Sequence, residues 1–132
     1  MKTIEELLRD PYWVVDALPE QVKADSDGQY FAVERYYLEP ARFAELKQKH
    51  IDVVLKLNCY MRLFLDEEDR PNPPPAEIAE RMRRDHLCIR IGGALIVSEP
   101  DDACMTVYNA DETLLSLLRP LAAAEGLFVW QP

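Results

Sequence analysis

Residues 87–130 read LCIRIGGALIVSEPDDACMTVYNADETLLSLLRPLAAAEGLFVW, and this stretch decides the fold. Apolar residues alternate with Cys88 and Arg90 at its start, which predicts a half-buried strand. The pair Gly92–Gly93 suits the two-residue turn of a β-hairpin, so residues 94–98 form the partner strand. A second turn at residues 100–102 leads into a third strand, residues 104–108. These residues therefore predict a three-stranded meander.

A helix and a last strand follow the meander. Asn109 with Glu112 predicts the helix start, and four leucines spaced three or four residues apart form its apolar face. Pro120 interrupts this pattern and predicts a kink, while Gly126 suits the helix end. Residues 127–130 then predict a closing strand.

The N-terminal part predicts a short helix and two paired strands. Thr3 followed by Glu6 is a capping-box pattern at a helix start. Residues 12–18 are rich in aromatic and β-branched side chains, which indicates a strand. Residues 29–38 alternate, with Phe31 on one face and Tyr30 on the other, and predict a second strand paired with the first.

Two periodicities compete in residues 41–65. Apolar residues spaced three and four apart predict an amphipathic helix from Ala41 onward. Residues 51–65 also fit a period of two, so the pattern alone leaves helix and strand open there. Because one helix to Leu65 would be long for so small a domain, we favour a change from helix to strand near residues 57–59.

An acidic and proline-rich stretch, residues 66–75, predicts an exposed connector, since three consecutive prolines cannot donate to a sheet. A short helix with a Glu77–Arg81 pair on its outer side follows. The length suits one domain over residues 1–132. The fold class that emerges is α+β, with a mainly antiparallel sheet, a meander in the C-terminal half, and helices packed on one side.

Composition limits the classes of partner and location. The 132 residues carry a net charge of −9, which repels a nucleic-acid backbone and excludes nucleic acid as the expected partner. No apolar run is long enough to span a membrane, and the start of the chain has no apolar core of a signal peptide. The three cysteines are odd in number and lack the paired spacing of a disulfide or metal motif, so we expect each of them to be a small buried hydrophobic residue. A reducing, cytoplasmic location is expected.

Reactive residues do not form a recognised catalytic or cofactor signature. His50, His86, Cys59, Cys88 and Cys104 lack the spacings of zinc sites, so neither a metal nor a cofactor is predicted. A nucleophilic pair such as His86 with Cys59 needs only spatial closeness. It is disfavoured because the alternation around Cys59 and Cys88 predicts burial of both thiols.

Aromatic side chains are concentrated in the two predicted N-terminal strands. They are Tyr12, Trp13, Tyr30, Phe31, Tyr36 and Tyr37. A two-stranded unit cannot bury both of its faces unless something covers each of them, so one face is expected to meet the core. The other face is either a contact surface for a partner, a second copy or a small apolar ligand, or an ordinary half-exposed face of tyrosines.

Two functions from different classes fit these observations. The first, which we favour, is a non-catalytic interaction protein, of inhibitor or regulatory type, that captures a basic protein or self-associates. The second is a small ligand-binding protein or enzyme with scattered site residues beside the sheet. A cavity holding a titratable group with a shifted pKa would favour the second. The candidate binding residues are Trp13, Tyr30, Glu34, Tyr36, Tyr37, His86 and Arg90.

Overall fold

A computed structural model describes residues 2–132 and contains five helices and one six-stranded sheet within that range. The elements in chain order are α1 (Ile4–Leu7), β1 (Tyr12–Asp16), α2 (Tyr30–Leu38), α3 (Pro40–Tyr60), β2 (Leu63–Leu65), α4 (Pro75–Arg84), β3 (Leu87–Ile91), β4 (Ala94–Ser98), β5 (Met105–Tyr108), α5 (Glu112–Ala124) and β6 (Phe128–Trp130). The strand order is β2-β3-β4-β5-β1-β6, and all neighbours are antiparallel. The predicted α+β class is confirmed.

The predicted meander is formed by β3, β4 and β5. Ile91 pairs with Ala94 across the two-residue turn, and Leu95 of β4 pairs with Tyr108 of β5. Gly92 has a φ of +57°. A side chain disfavours that backbone conformation, which explains why glycine opens the turn.

The main core lies between one face of the sheet and the helices α3, α4 and α5. Alternate strand residues such as Val15, Ile89 and Ile96 are fully buried on this face. The short helix α1 lies against the opposite face, where Leu7 packs with Cys88 and Leu95. The helices therefore cover one face of the sheet more completely than the other.

Residues 29–38 contradict the strand prediction, because residues 30–38 form the helix α2. The reason lies in the sheet: β1 is flanked by β5 and β6, so both of its hydrogen-bonding edges are occupied. No edge of β1 is left for a second N-terminal strand. Within α2, the Tyr30 hydroxyl donates to Glu34 Oε2 at 2.8 Å across one helical turn.

The competition within residues 41–65 is resolved by a helix followed by a strand. Helix α3 continues through residues 57–59 to Tyr60, and β2 begins at Leu63. The change thus occurs slightly later than predicted. Residues Leu46, His50, Val54 and Leu57 are buried at helical spacing, so the core-facing stripe of α3 keeps the period of a helix throughout.

The cap of α5 also differs from the prediction. Its N-cap is Asp111, whose Oδ1 accepts from the Leu114 amide at 2.9 Å. Asn109 instead adopts a φ of +58° and donates from Nδ2 to the Gly93 carbonyl at 2.9 Å. Pro120 lies inside α5, which continues to Ala124.

The acidic connector is largely exposed but fixed at its ends. Asp66 Oδ1 accepts from the Cys88 amide at 3.0 Å, and its Oδ2 lies 2.8 Å from Arg81 Nη2. Asn72 Nδ2 donates to the Met61 carbonyl at 3.0 Å. These contacts attach the connector to β3, α4 and the end of α3.

Candidate functional site

Helix α2 is exceptional in its exposure, because none of its nine residues is buried. Its side chains are nevertheless largely apolar, and the Phe31 side chain is 71% exposed. Val33, Tyr36, Tyr37 and Leu38 are exposed as well. A helix that exposes so much apolar surface indicates a contact surface.

The inner side of α2 lines a cavity that we name the α2 cleft. Tyr30, Val33, Glu34 and Tyr37 follow the i, i+3, i+4, i+7 spacing of one helix face and contribute to its wall. The other walls are residues 16–18 after β1, residues 102–104 before β5, and Leu46 of α3. The volume of the cleft is about 360 Å³, which falls within the size range of ligand sites.

Three carboxylates line the α2 cleft. Burial raises the pKa of Asp16, and hydrogen bonds from the Ala17 and Leu18 amides oppose part of that rise. Burial also raises the pKa of Asp102, and the neighbouring carboxylate of Asp101 adds to it. Glu34 accepts a hydrogen bond from Tyr30, which raises the pKa of the tyrosine hydroxyl. The cleft is thus a partly dehydrated, negatively charged site.

Cys104 lines the same cleft without being an activated nucleophile. Burial, together with the negative charges of Asp16 and Asp102, raises the pKa of its thiol to about 11. The thiol is therefore protonated at neutral pH, and a protonated thiol is a poor nucleophile. The cleft therefore offers no activated thiol among its lining residues.

Two polar residues of α3 lie behind the cleft and join it to the sheet. Lys47 is almost fully buried, and its Nζ donates to Ser98 Oγ at 3.1 Å and to the Glu99 carbonyl at 2.5 Å. His50 lies with Nδ1 3.0 Å from the Leu46 carbonyl and Nε2 3.2 Å from the Val15 carbonyl. Burial lowers the pKa of both side chains.

His50 predicts how stability depends on pH. Because its pKa in the folded protein is lowered from 6.5 and the unfolded chain keeps the ordinary value, the unfolded state binds more protons as the pH falls. The contribution of neutral His50 is complete above the unfolded-state pKa and is lost on acidification. We expect His50 to lower the free energy of unfolding by at most about 1.4 kcal/mol per pH unit below pH 6.5.

Urea unfolding of the wild type and of His50→Asn between pH 8 and pH 5.5 checks this expectation. The variant should be less stable throughout and should lack the pH-dependent loss attributed to His50. If the free energy of unfolding depends on pH equally in the two proteins, His50 has the same pKa in the folded and the unfolded state.

A second cluster contains His86, Cys88 and Glu99. Leu87 pairs with Ser98, so His86 and Glu99 lie opposite each other just outside the paired ends of β3 and β4, and His86 Nδ1 contacts Glu99 Oε1. His86 Nε2 lies 3.6 Å from Cys88 Sγ. Burial raises the pKa of the Cys88 thiol, and surrounding carboxylates, Asp66 first among them, raise it further. Cys88, His86 and Glu99 thus follow the order of a nucleophile, a base and a carboxylate. The surroundings of Cys88, however, disfavour its thiolate form.

A pairing of His86 with Cys59, which the sequence disfavoured, is not found among the described residues, because His86 contacts Glu99 and Cys88 instead. Cys59 is exposed near the end of α3, where its thiol contacts the Leu55 carbonyl. Cys88 is the buried cysteine, and Cys104 is half-buried, so burial of all three was predicted correctly only in part. Among residues 2–132, no three or more His, Cys, Asp and Glu side chains are grouped so that they could hold a metal ion.

Of the seven predicted binding residues, Tyr30, Glu34 and Tyr37 come together in the α2 cleft. Tyr36 lies beside them, with the Arg42 guanidinium 3.6 Å from its ring centre. Trp13, His86 and Arg90 lie elsewhere. Trp13 packs against the main core with Arg119 above its ring.

Arg90 is held away from the cleft by backbone contacts. Its Nε donates to the Asp66 carbonyl at 2.7 Å and its Nη2 to the Glu68 carbonyl at 2.5 Å. This arginine fixes the connector and lines a different cavity, beside Phe64 and the β3–β4 turn. Sequence reasoning also missed Asp16, Asp102 and Cys104 as cleft residues. Only the helical spacing within residues 30–37 could have indicated a shared face, because the other walls come together through the tertiary fold.

Comparisons with protein-family models, with curated proteins and with solved structures found no match for this chain. Within residues 2–132, no helix combines the length and apolar character needed to cross a membrane. Any statement on function therefore depends on the α2 surface and the α2 cleft.

Proposed function

We propose that this protein is a non-catalytic interaction protein that binds a basic partner protein through α2, in the cytoplasm. The observation that carries the proposal is that α2 buries none of its side chains although most of them are apolar. Ordinary packing does not account for such a helix, whereas a partner that covers it does.

Charge favours a basic partner over a second copy. Residues 16–39, which include α2 and the segment before it, carry six acidic and two basic side chains. The whole chain has a net charge of −9. Two copies would repel each other at this surface, while a basic protein would be attracted to it and oriented by it.

The small-molecule alternative receives support from one observation, the α2 cleft with its shifted pKa values. The shifts of Asp16 and Asp102 arise chiefly from burial, and the Cys104 thiol is held protonated. These groups suit the recognition of a ligand better than the activation of a nucleophile. The alternative function is therefore the binding of a small ligand, without catalysis.

The proposal is tested by isolating the tagged chain from its native cells and measuring the mass of the complex under native conditions. Hydrogen exchange then locates the contact. We expect a stoichiometric complex with a basic protein, protection of the α2 amides on binding, and association that slows as salt is raised. A homodimer, a bound small molecule alone, or protection confined to other elements would overturn the proposal.

A further inference from the structure

The α2 cleft is negatively charged without internal compensation. Asp16, Glu34 and Asp102 contribute to its walls, and no lysine or arginine does. Across the described residues 2–132, none of these three carboxylates takes part in an ion pair. Carboxylates in a partly dehydrated site gain more from an incoming positive charge than they would in water.

The nearest buried cation is already engaged elsewhere. Lys47 donates to Ser98 and to the Glu99 carbonyl, and its side chain is not part of the cleft wall. Its charge lowers the pKa of Asp102, which offsets only part of the rise caused by burial. Lys47 therefore compensates the negative charge of the cleft only in part.

Aromatic and aliphatic surface lies beside these carboxylates. Tyr30 and Tyr37 line the cleft together with Val33 and Leu46. Ring faces attract cations, and the aliphatic side chains suit a hydrocarbon stem. The site thus combines charge recognition with an apolar wall.

An organic cation fits the cleft better than a metal ion does. The carboxylates come from three different segments, and residues 2–132 contain no grouping of three or more ligating side chains suited to a metal. A volume of about 360 Å³ leaves room for a group much larger than a bare ion.

We propose that the α2 cleft binds an alkylammonium or guanidinium group on a short apolar stem, supplied by a lysine or arginine side chain of the partner protein. The source of the group rests on the proposed function, whereas the chemistry of the cleft does not. The carboxylates pair with the cation, and the tyrosine rings and aliphatic side chains cover its stem.

The test measures binding of small probes by amide chemical-shift changes. The probes are N-acetyl-lysine methylamide and N-acetyl-arginine methylamide, with N-acetyl-norleucine methylamide as the neutral control. We expect shifts centred on residues 16–18, 30–37 and 102–104, and binding of the neutral control at least about 10-fold weaker. Equal binding of all three probes, or shifts centred elsewhere, would overturn the assignment.

Matched variants locate the charge. Glu34→Gln combined with Asp102→Asn should lower the affinity for the cationic probes about 10-fold, because two partly screened charge contacts are removed. Glu67→Gln combined with Asp69→Asn removes the same charge from the exposed connector and should change binding less than two-fold. Equal losses in the two double variants would mean that the cleft carboxylates have no specific role.

Free amines distinguish the source of the cation. Butylammonium and spermidine should bind no more tightly than the amino-acid probes, and much tighter binding of either would overturn assignment to a protein side chain. The probes need no partner, so the two proposals fail separately. Absent probe binding with intact capture by α2 contradicts only the cation site in the cleft. Intact probe binding without a protein partner contradicts the proposed function and the source of the cation, but not the chemistry of the cleft.

Discussion

Replacing Phe31 with alanine is expected to weaken binding of the partner protein by about 30-fold or more, which corresponds to about 2 kcal/mol. Phe31 is the most exposed large apolar side chain among residues 2–132, at 71%. Aromatic anchors at the centre of an interface commonly carry losses of this size. The free energy of unfolding should change by less than about 0.5 kcal/mol, because the ring makes little contact with the core.

Tyr60→Ala is the matched control for this prediction. Tyr60 is an aromatic residue of similar exposure, 68%, but it lies at the end of α3 instead of on α2. Calorimetric titration of the purified partner should give unchanged affinity for Tyr60→Ala. Equal affinities of the wild type and Phe31→Ala would contradict binding through α2.

Replacing Leu57 with alanine is expected to lower the free energy of unfolding by about 3 kcal/mol, within a range of about 2–5 kcal/mol. Leu57 is fully buried in the main core between α3 and the sheet. The substitution removes buried methyl groups and leaves a cavity that the packed sheet cannot fill. Such a loss is a large fraction of the stability of a domain of this size.

Leu38→Ala provides the same chemical change on an exposed helix. Leu38 is 44% exposed on α2, and its loss should cost no more than about 0.5 kcal/mol. Urea unfolding followed by circular dichroism gives both values. Similar losses for Leu57 and Leu38 would show that α3 does not pack as described.

The sequence predicted the C-terminal half well because its structure is determined by local signals. The glycine pair fixes the β3–β4 turn, the alternation fixes which residues face the core, and the leucine spacing fixes α5. Each signal acts within a few residues of the element that it determines. These elements therefore appear at nearly the predicted bounds.

The N-terminal half was predicted less well because its structure depends on distant partners. The edges of β1 are occupied by β5 and β6, which lie about 90 or more residues later in the chain. Aromatic residues favour strands on average, and residues 29–38 lack a side-chain helix cap, so no capping signal marks the start of a helix there. The α2 cleft was missed for the same reason, because its walls come from four separate segments.

The two outermost strands, β2 and β6, are only three residues long. Short edge strands expose few unpaired backbone N–H and C=O groups to another chain, which protects the sheet from edge-to-edge pairing with that chain. Aggregation by sheet extension is therefore disfavoured, even though a helix of the same molecule displays apolar rings to solvent. Association of this protein is thus directed to side-chain recognition on a helix and away from backbone pairing.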